Sequence, residues 1–410
     1  MITELRIEGF KSFGTPPQKL TLGNLNFVVG ANASGKSNLI SALRFLQYAV
    51  RENAEYAVNE FGGIAEVRNK ILTEKKDKKP VTITIVFDYA NEPLRFGHSS
   101  KSDELRIFKF NYTVQFDLRK DSGNPEILSE DLVADIRNIS GEKIRFHLTR
   151  NREEVSFIDH TLEDSLKERR LKVPQQEATR LAVGVGFFSI PLVILRDIIS
   201  NWRFYNISPL LARIPSKDAP DIDLGSAGEN LAVILHKLQQ VNGNNSDALK
   251  SIVAGLRSVV PGFRDVVTTH LPIESKWVFQ VLEDKIRGRI NPDSVSDGTI
   301  RLLALMVVTS WSTKNSSLIA IEEPENGLHP HLSEHIIGIL RNASEKQQLI
   351  VTTHNPAFLD YLEPTEIILC DKEEGFTKLR RASDIEQIKN FQKHFRLGEL
   401  WIQGTLGGIP

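Results

Sequence analysis

Apolar residues cluster or alternate over positions 3–13 and 20–29, as they do in strands, and the second run stops at Gly30. After Ser37 the period changes: Leu39, Ala42, Leu43 and Leu46 recur at helical spacing. A polar, lysine-rich break follows around residues 70–80. Next come VTITIVFDY (81–89), FKFNYTVQFDL (108–118), KIRFHL (143–148) and EVSFI (154–158), whose patterning predicts an antiparallel lobe. From about 161 to 261 the pattern turns mostly helical, with TLEDSLKERRL and ENLAVILHKLQQV the clearest stretches. A strand signal returns at KWVFQVLED, and beyond it helix and strand alternate through RLLALMVVTSW, SLIAI, HLSEHIIGILRNA, QLIVTTH and EIILCD. No internal repeat is present, and no heptad run is long enough for an extended coiled coil. The expected architecture is α/β, with a mainly parallel core sheet, an antiparallel β lobe and a helical insertion. Residues 1–160 would form the first part of a head, 161–261 a short arm or lid, and 262–410 the rest of the head.

Composition narrows the class without naming it. The chain has 410 residues, 40% of them hydrophobic and 25% charged, as in an ordinary soluble globular protein. A formal net charge of -1 gives no global attraction to nucleic acid or anionic membrane, so any DNA contact needs a local basic patch. RNKILTEKKDKK (68–79) and KERRLK (167–172) are the candidates; such runs are either solvated faces or phosphate contacts with salt-sensitive affinity. NWRFYNISP (201–209) concentrates aromatics, which suits packing of the helical region better than base stacking. The single cysteine, Cys370, excludes an internal disulfide and a zinc hook. The longest apolar run, LAVGVGFFSIPLVIL (181–195), is short for a bilayer span and is broken by Pro191 and two glycines. The opening MITELRIEGFK has no signal-peptide core, so a cytoplasmic location without membrane attachment is expected.

Two segments carry chemistry. FVVGANASGKSN holds G-x-x-x-x-G-K-S as Gly30, Gly35, Lys36 and Ser37, between a strand and a helix. Backbone amides of Ala33, Ser34, Gly35, Lys36 and Ser37 can cradle phosphates at the positive end of that helix. Lys36 would reach the β- and γ-phosphates of ATP, and the Ser37 hydroxyl would ligate Mg²⁺. A glycine-rich turn without function is the plain alternative, and the flanking strand and helix argue against it. The second segment, SLIAIEEPENGLHP (317–330), ends an apolar strand in Glu322, Glu323 and Glu325. Like charges so close repel unless a cation or a proton compensates. Glu322 would hold Mg²⁺, and Glu323 would orient or deprotonate the attacking water, a role worth about 10²–10⁴-fold in rate.

Two further stretches extend the set. SVSDGTIRLLALMVV (294–308) places Ser296, Asp297 and Gly298 before an apolar helix, which makes a second anion site whichever residue caps that helix. One ATP cannot easily use both anion sites from one subunit, whereas a head-to-tail pair of subunits can enclose it. QLIVTTHNP ends a strand at His354, placed to touch a γ-phosphate or polarise the water. His329, His331 and His335 have a spacing that suits a metal, but with no second ligand cluster they read as surface positions.

In the order phosphate loop, signature, acidic strand and histidine, these elements resemble the ABC-type ATPase heads of the SMC and RecF group. The likeness is strongest to stand-alone OLD-like bacterial ATPases of the AAA class, which share the EEPENGLHP form. IEGFKSF…LNFVVGANASGKSNLISAL, with Asn32 and Asn38, SDGTIRLLAL, and the tail GELWIQGTLGGIP (398–410) carry it. It covers both ends of the chain well and the middle loosely. The resemblance implies Gly30, Asn32, Ala33, Ser34, Gly35, Lys36, Ser37 and Asn38 on nucleotide, Ser37 and Glu322 on Mg²⁺, and Glu323 in hydrolysis. It also implies Ser296, Asp297 and Gly298 on a partner's ATP, with His354 as the switch. Asp297 stands where transporter heads carry glycine, and no glutamine is assignable to a Q-loop: Gln47 lies inside the first helix and Gln115 has no support. The stretch after His354 is too short for a TOPRIM nuclease domain. The implied activity is ATP hydrolysis by a homodimer closed around ATP. It would drive a separately encoded effector, a nuclease or toxin, in anti-phage defence or DNA maintenance. The alternatives are a DNA-repair ATPase acting on DNA ends or gaps, and a slow-turnover assembly switch.

Overall fold

The computed structural model describes residues 1–74, 79–89, 94–96, 105–118, 124–137, 142–158, 168–174, 177–185, 189–218, 223–240, 246–311, 316–386, 388–391 and 394–406. The chain divides into two units: residues 1–23, 30–202 and 368–385 form one, and 24–29, 203–367 and 386–410 the other.

In the first unit, strand-forming segments fold into a nine-stranded sheet in which each pairing is antiparallel. The order runs Arg169–Lys172, Glu154–Ile158, Lys143–Asn151, Glu126–Arg137, Leu105–Asp117, Val81–Asp88, Ile2–Glu8, Gln18–Thr21, with Leu94–Phe96 also on Leu105–Asp117. Period-two patterning sets its faces: Val81, Ile83, Ile85 and Phe87 are buried and the residues between them half-exposed. The helix Lys36–Arg51 turns Leu39, Ala42, Leu43 and Leu46 inward, and its Phe45 ring lies 5.5 Å from Phe10 and 5.3 Å from Phe116. Gln47 on that helix donates to the carbonyls of Ile199 (3.1 Å), Ser200 (3.0 Å) and Trp202 (2.8 Å), closing the end of the helix Ile190–Ser200. Gln115 accepts from the Ser129 hydroxyl at 2.9 Å, a cross-strand contact within the sheet.

Two readings of the pattern are corrected here, and one strand that the pattern did not announce is added. The run 20–29 is two strands, Gln18–Thr21 and Leu25–Val29, which lie in different units. Within TLEDSLKERRL, Arg169–Lys172 is a strand where a helix was expected, while 161–167 lie outside the described residues. Its four side chains are all exposed at the edge of the sheet, so no buried face imposes a period, and backbone pairing to Glu154–Ile158 decides. Glu126–Arg137 carried no clear strand signal, because the buried Glu130 interrupts its apolar alternation. Residues 75–78, 186–188, 241 and 407–410 of the other segments singled out above also lie outside the described residues.

In the second unit, Arg203–Tyr205, Leu318–Glu322, Gln348–Thr353 and Leu25–Val29 pair in that order as a parallel sheet. Leu25–Val29 and Gln348–Thr353 are buried along their whole length, as expected for parallel strands covered on both faces. The helices Leu231–Gln240, Asp247–Val259, Asp297–Trp311 and Ser333–Ser344 belong to this unit, with the hairpin Phe263–Leu271/Lys276–Glu283. The mainly parallel sheet and the antiparallel lobe expected from the patterning are both present. Among the described residues no helix is long and apolar enough to cross a membrane.

Candidate functional site

The strand Leu25–Val29 runs directly into the phosphate loop, whose backbone admits no side chain at its two glycines. A Cβ on Gly30 would meet the Cys370 carbonyl oxygen at 2.1 Å, and one on Gly35, at φ +115°, would meet Thr377 Oγ1 at 2.0 Å. A relay of short polar side chains fixes the loop from outside. Asn38 Nδ2 donates to Ser12 Oγ (2.7 Å), Ser12 Oγ shares a hydrogen bond with Thr377 Oγ1 (2.6 Å), and Thr377 Oγ1 donates to the Ser34 carbonyl (2.8 Å). Lys36 is buried and its ammonium donates to the carbonyls of Gly30 (2.7 Å) and Ala31 (2.9 Å), folded across the loop. Gly35 starts the helix Lys36–Arg51 without a side-chain cap, and the positive end of a helix attracts anions. Asn32, Ala33 and Ser37 are exposed. A helix start without a side-chain cap, an ammonium and an exposed hydroxyl fit a polyphosphate, and Ser37 offers the hard oxygen donor that Mg²⁺ prefers.

In the second unit the three carboxylates take three different places. Glu322 ends its strand half-exposed, opposite Thr352 in the parallel register. Glu323 turns the chain at φ 45°, a left-handed conformation costly for a residue with a side chain. Its amide donates to the Thr352 carbonyl at 3.0 Å, and Asn326 Nδ2 donates to its Oε2 at 2.8 Å. His354 Nδ1 approaches Glu323 Oε1 to 3.2 Å, a short contact without hydrogen-bond alignment. Glu325 turns inward, and burial raises its carboxyl above the usual range, only partly offset by the Thr353 hydroxyl. The acidic run is therefore one strand-end carboxylate, one carboxylate beside an imidazole, and one buried group.

The signature segment lies in the same unit. Ser296 Oγ accepts the Thr299 amide at 3.1 Å and so caps the helix Asp297–Trp311. Asp297 is paired: Arg213 Nη2 reaches its Oδ1 at 2.6 Å and the Val295 carbonyl at 2.8 Å, while Arg213 Nε donates to the Pro292 carbonyl at 3.0 Å. An added Cβ at Gly298 would lie 3.2 Å from Leu328 and 3.3 Å from the Gly327 carbonyl, so this turn packs on the ENGL turn. The structure thus groups Gly30, Ser34, Gly35, Lys36, Ser37 and Asn38 in one unit. Glu322, Glu323 and His354, with Ser296 to Gly298 beside the following turn, are grouped in the other. Sequence reasoning missed Ser12, Thr377, Arg213 and Asn326. Ser12 lies inside the quoted GFKSF; Thr377 and Arg213 have no local signal.

A family model described as "AAA domain, putative AbiEii toxin, Type IV TA system" matches residues 25–360. The chain is 20% identical over 411 residues to the Escherichia coli protein named "Retron Ec83 probable ATPase", covering 92% of this chain and 72% of that one. It is 22% identical over 384 residues to a Helicobacter pylori protein named "ATP/GTP phosphatase", covering 88% of each. Among solved structures it is similar to the SMC head bound to the C-terminal winged-helix domain of ScpA. The TM-score is 0.51 at 15% identity, over 92% of this chain and 97% of that one. That likeness is one of fold: the architecture is a P-loop head of ABC type.

Proposed function

Since this chain belongs to the AAA-domain family whose model spans residues 25–360, we propose that it binds ATP as a head-to-tail homodimer and hydrolyses it to drive a separate effector. The chain is an ATPase of the SMC-head type. Lys36 and the amides from Gly30 to Ser37 take the phosphates, and Asn32 and Asn38 flank them. Ser37 and Glu322 would hold Mg²⁺, which when bound neutralises phosphate charge. Glu323 orients the water and accepts its proton, with His354 beside it. Ser296, Asp297 and Gly298 face the partner's nucleotide. The observation that carries the reading is Glu323: a strained φ of 45° is maintained to set a carboxylate against Asn326 and His354.

The effector half of the proposal draws on the relatives. A retron-named protein and a family description that mentions a toxin support a partner such as a nuclease or toxin, in defence or DNA maintenance. The exposed Arg169, Arg170 and Lys172 favour, as a second reading, direct action on DNA.

Glu323→Gln tests the site. Retained binding of a fluorescent ATP analogue, phosphate release lowered roughly tenfold or more, and an ATP-dependent dimer that outlives the wild type are expected. Wild-type turnover would remove Glu323 from the mechanism. The same variant, purified with ATP from its host, separates the two readings: a stoichiometric protein partner favours the effector, and salt-sensitive DNA alone favours direct action on DNA.

A further inference from the structure

Glu325 has no part in the chemistry above, yet it is the member of the acidic run that the fold encloses, at 5% exposure. Its Oε1 accepts the Thr353 hydroxyl at 2.5 Å and lies 3.4 Å from the His354 amide that donates to it. Thr353 Oγ1 accepts the Asn355 amide in turn at 3.0 Å. One carboxyl therefore orders three consecutive residues where the strand Gln348–Thr353 gives way to the helix Pro356–Leu359. Its other oxygen, Oε2, is buried and has no hydrogen-bond partner among the described residues. Enclosing a carboxyl with an unmatched oxygen is costly, and an apolar side chain could fill the space without that cost. What an apolar side chain could not do is accept two hydrogen bonds from the segment that carries His354.

We propose that Glu325 is a positioning residue: through Thr353 Oγ1 and the His354 amide it sets the His354 imidazole against Glu323, and so governs hydrolysis without touching nucleotide. The inference rests on the hydrolytic assignment of Glu323 and His354. Arg301, half-buried on the helix Asp297–Trp311, supports the arrangement from a third element. Its Nη1 donates to the Ile207 carbonyl at 2.7 Å, and its charge lies in the field of Asp297, Glu325 and Glu323. The carboxyl thus lies in the field of one arginine while it orders the turn before the helix Pro356–Leu359.

The test is steady-state ATP turnover of the full chain with Glu325→Leu, Glu325→Gln, Thr353→Val, His354→Ala, the double variant Glu325→Leu/His354→Ala, and Glu323→Gln as control. Glu325→Leu and Thr353→Val are expected to lower kcat roughly tenfold while KM for ATP stays within about twofold. Glu325→Gln keeps an acceptor oxygen and should recover most of the rate. The double variant should be no slower than His354→Ala alone, because both substitutions remove one arrangement. Losses that multiply in the double variant, a Gln variant as slow as Leu, or wild-type kcat in both Glu325→Leu and Thr353→Val would overturn the proposal while the hydrolytic site stands. Thr353→Val removes the bridging hydroxyl with Glu325 in place, so the answer is readable even if Leu at 325 prevents folding. A Glu323→Gln control at wild-type rate would overturn the site itself, and the Glu325 role with it.

Discussion

Thr377 carries more of the phosphate loop than its place in the chain suggests. It lies 343 positions after Ser34, whose carbonyl its buried hydroxyl engages, while Ser12 and Asn38 complete the relay from the other side. Removing that hydroxyl takes the donor from the Ser34 carbonyl and leaves the Ser12 hydroxyl with Asn38 alone, a cost of about 1–3 kcal/mol for a buried group. The loop, not Glu323 or His354, bears that loss. Thr377→Val is therefore expected to raise KM for ATP roughly tenfold while kcat stays within about twofold, read by initial-rate kinetics. A fall in kcat at unchanged KM would show that the relay serves catalysis instead. The placing of Gly30, Gly35, Lys36 and Ser37 between a strand and a helix was legible because that loop is a fixed local pattern of backbone and charge. Thr377 was not, because nothing near it in the chain records which carbonyl it meets.

At the scale of the element, the signature helix owes its approach to a residue from another segment. Asp297 is exposed and would put negative charge beside an anion site, and Arg213 offsets it while bonding the Val295 and Pro292 carbonyls. Asp297 in place of glycine is thus half of a pair made inside the chain. Arg213→Ala, in the Glu323→Gln background, is expected to weaken the ATP-dependent dimer severalfold while one subunit's ATP affinity is unchanged, as measured by analytical ultracentrifugation and nucleotide titration. Adding Asp297→Asn should restore part of the dimer, since the uncompensated charge is then gone; no recovery would mean that Arg213 acts only by bracing the loop. Which elements could be read follows the same logic of local against distant causes. SLIAI and QLIVTT are continuous apolar runs that announce buried parallel strands. Glu126–Arg137 and Arg169–Lys172 are strands by virtue of their neighbours, one built around a buried charge and one at a solvated edge.

For the whole molecule, the buried charge in the first unit sets a limit on how the antiparallel sheet can be altered. Glu130 and Arg150 have side chains 0% and 1% exposed and meet at 3.2 Å. Tyr112 and the Ala182 amide donate to Glu130, and Arg150 donates to the Ala178 and Arg180 carbonyls at 2.9 and 2.5 Å. The pair thereby ties residues 178–182 to the strands Glu126–Arg137 and Lys143–Asn151. Glu130→Ala leaves a buried guanidinium uncompensated, and a loss of about 3–5 kcal/mol in unfolding free energy is expected from denaturant titration. A loss below about 1 kcal/mol would mean that water reaches the pair, as for an exposed bridge. Replacing both residues by leucine is the sharper measurement. An isolated buried pair exchanged for apolar side chains is often neutral. Here the exchange would also strip the donor from the Ala178 and Arg180 carbonyls, so the double variant should remain destabilised, and a neutral result would reduce Glu130–Arg150 from a tether to a replaceable filler.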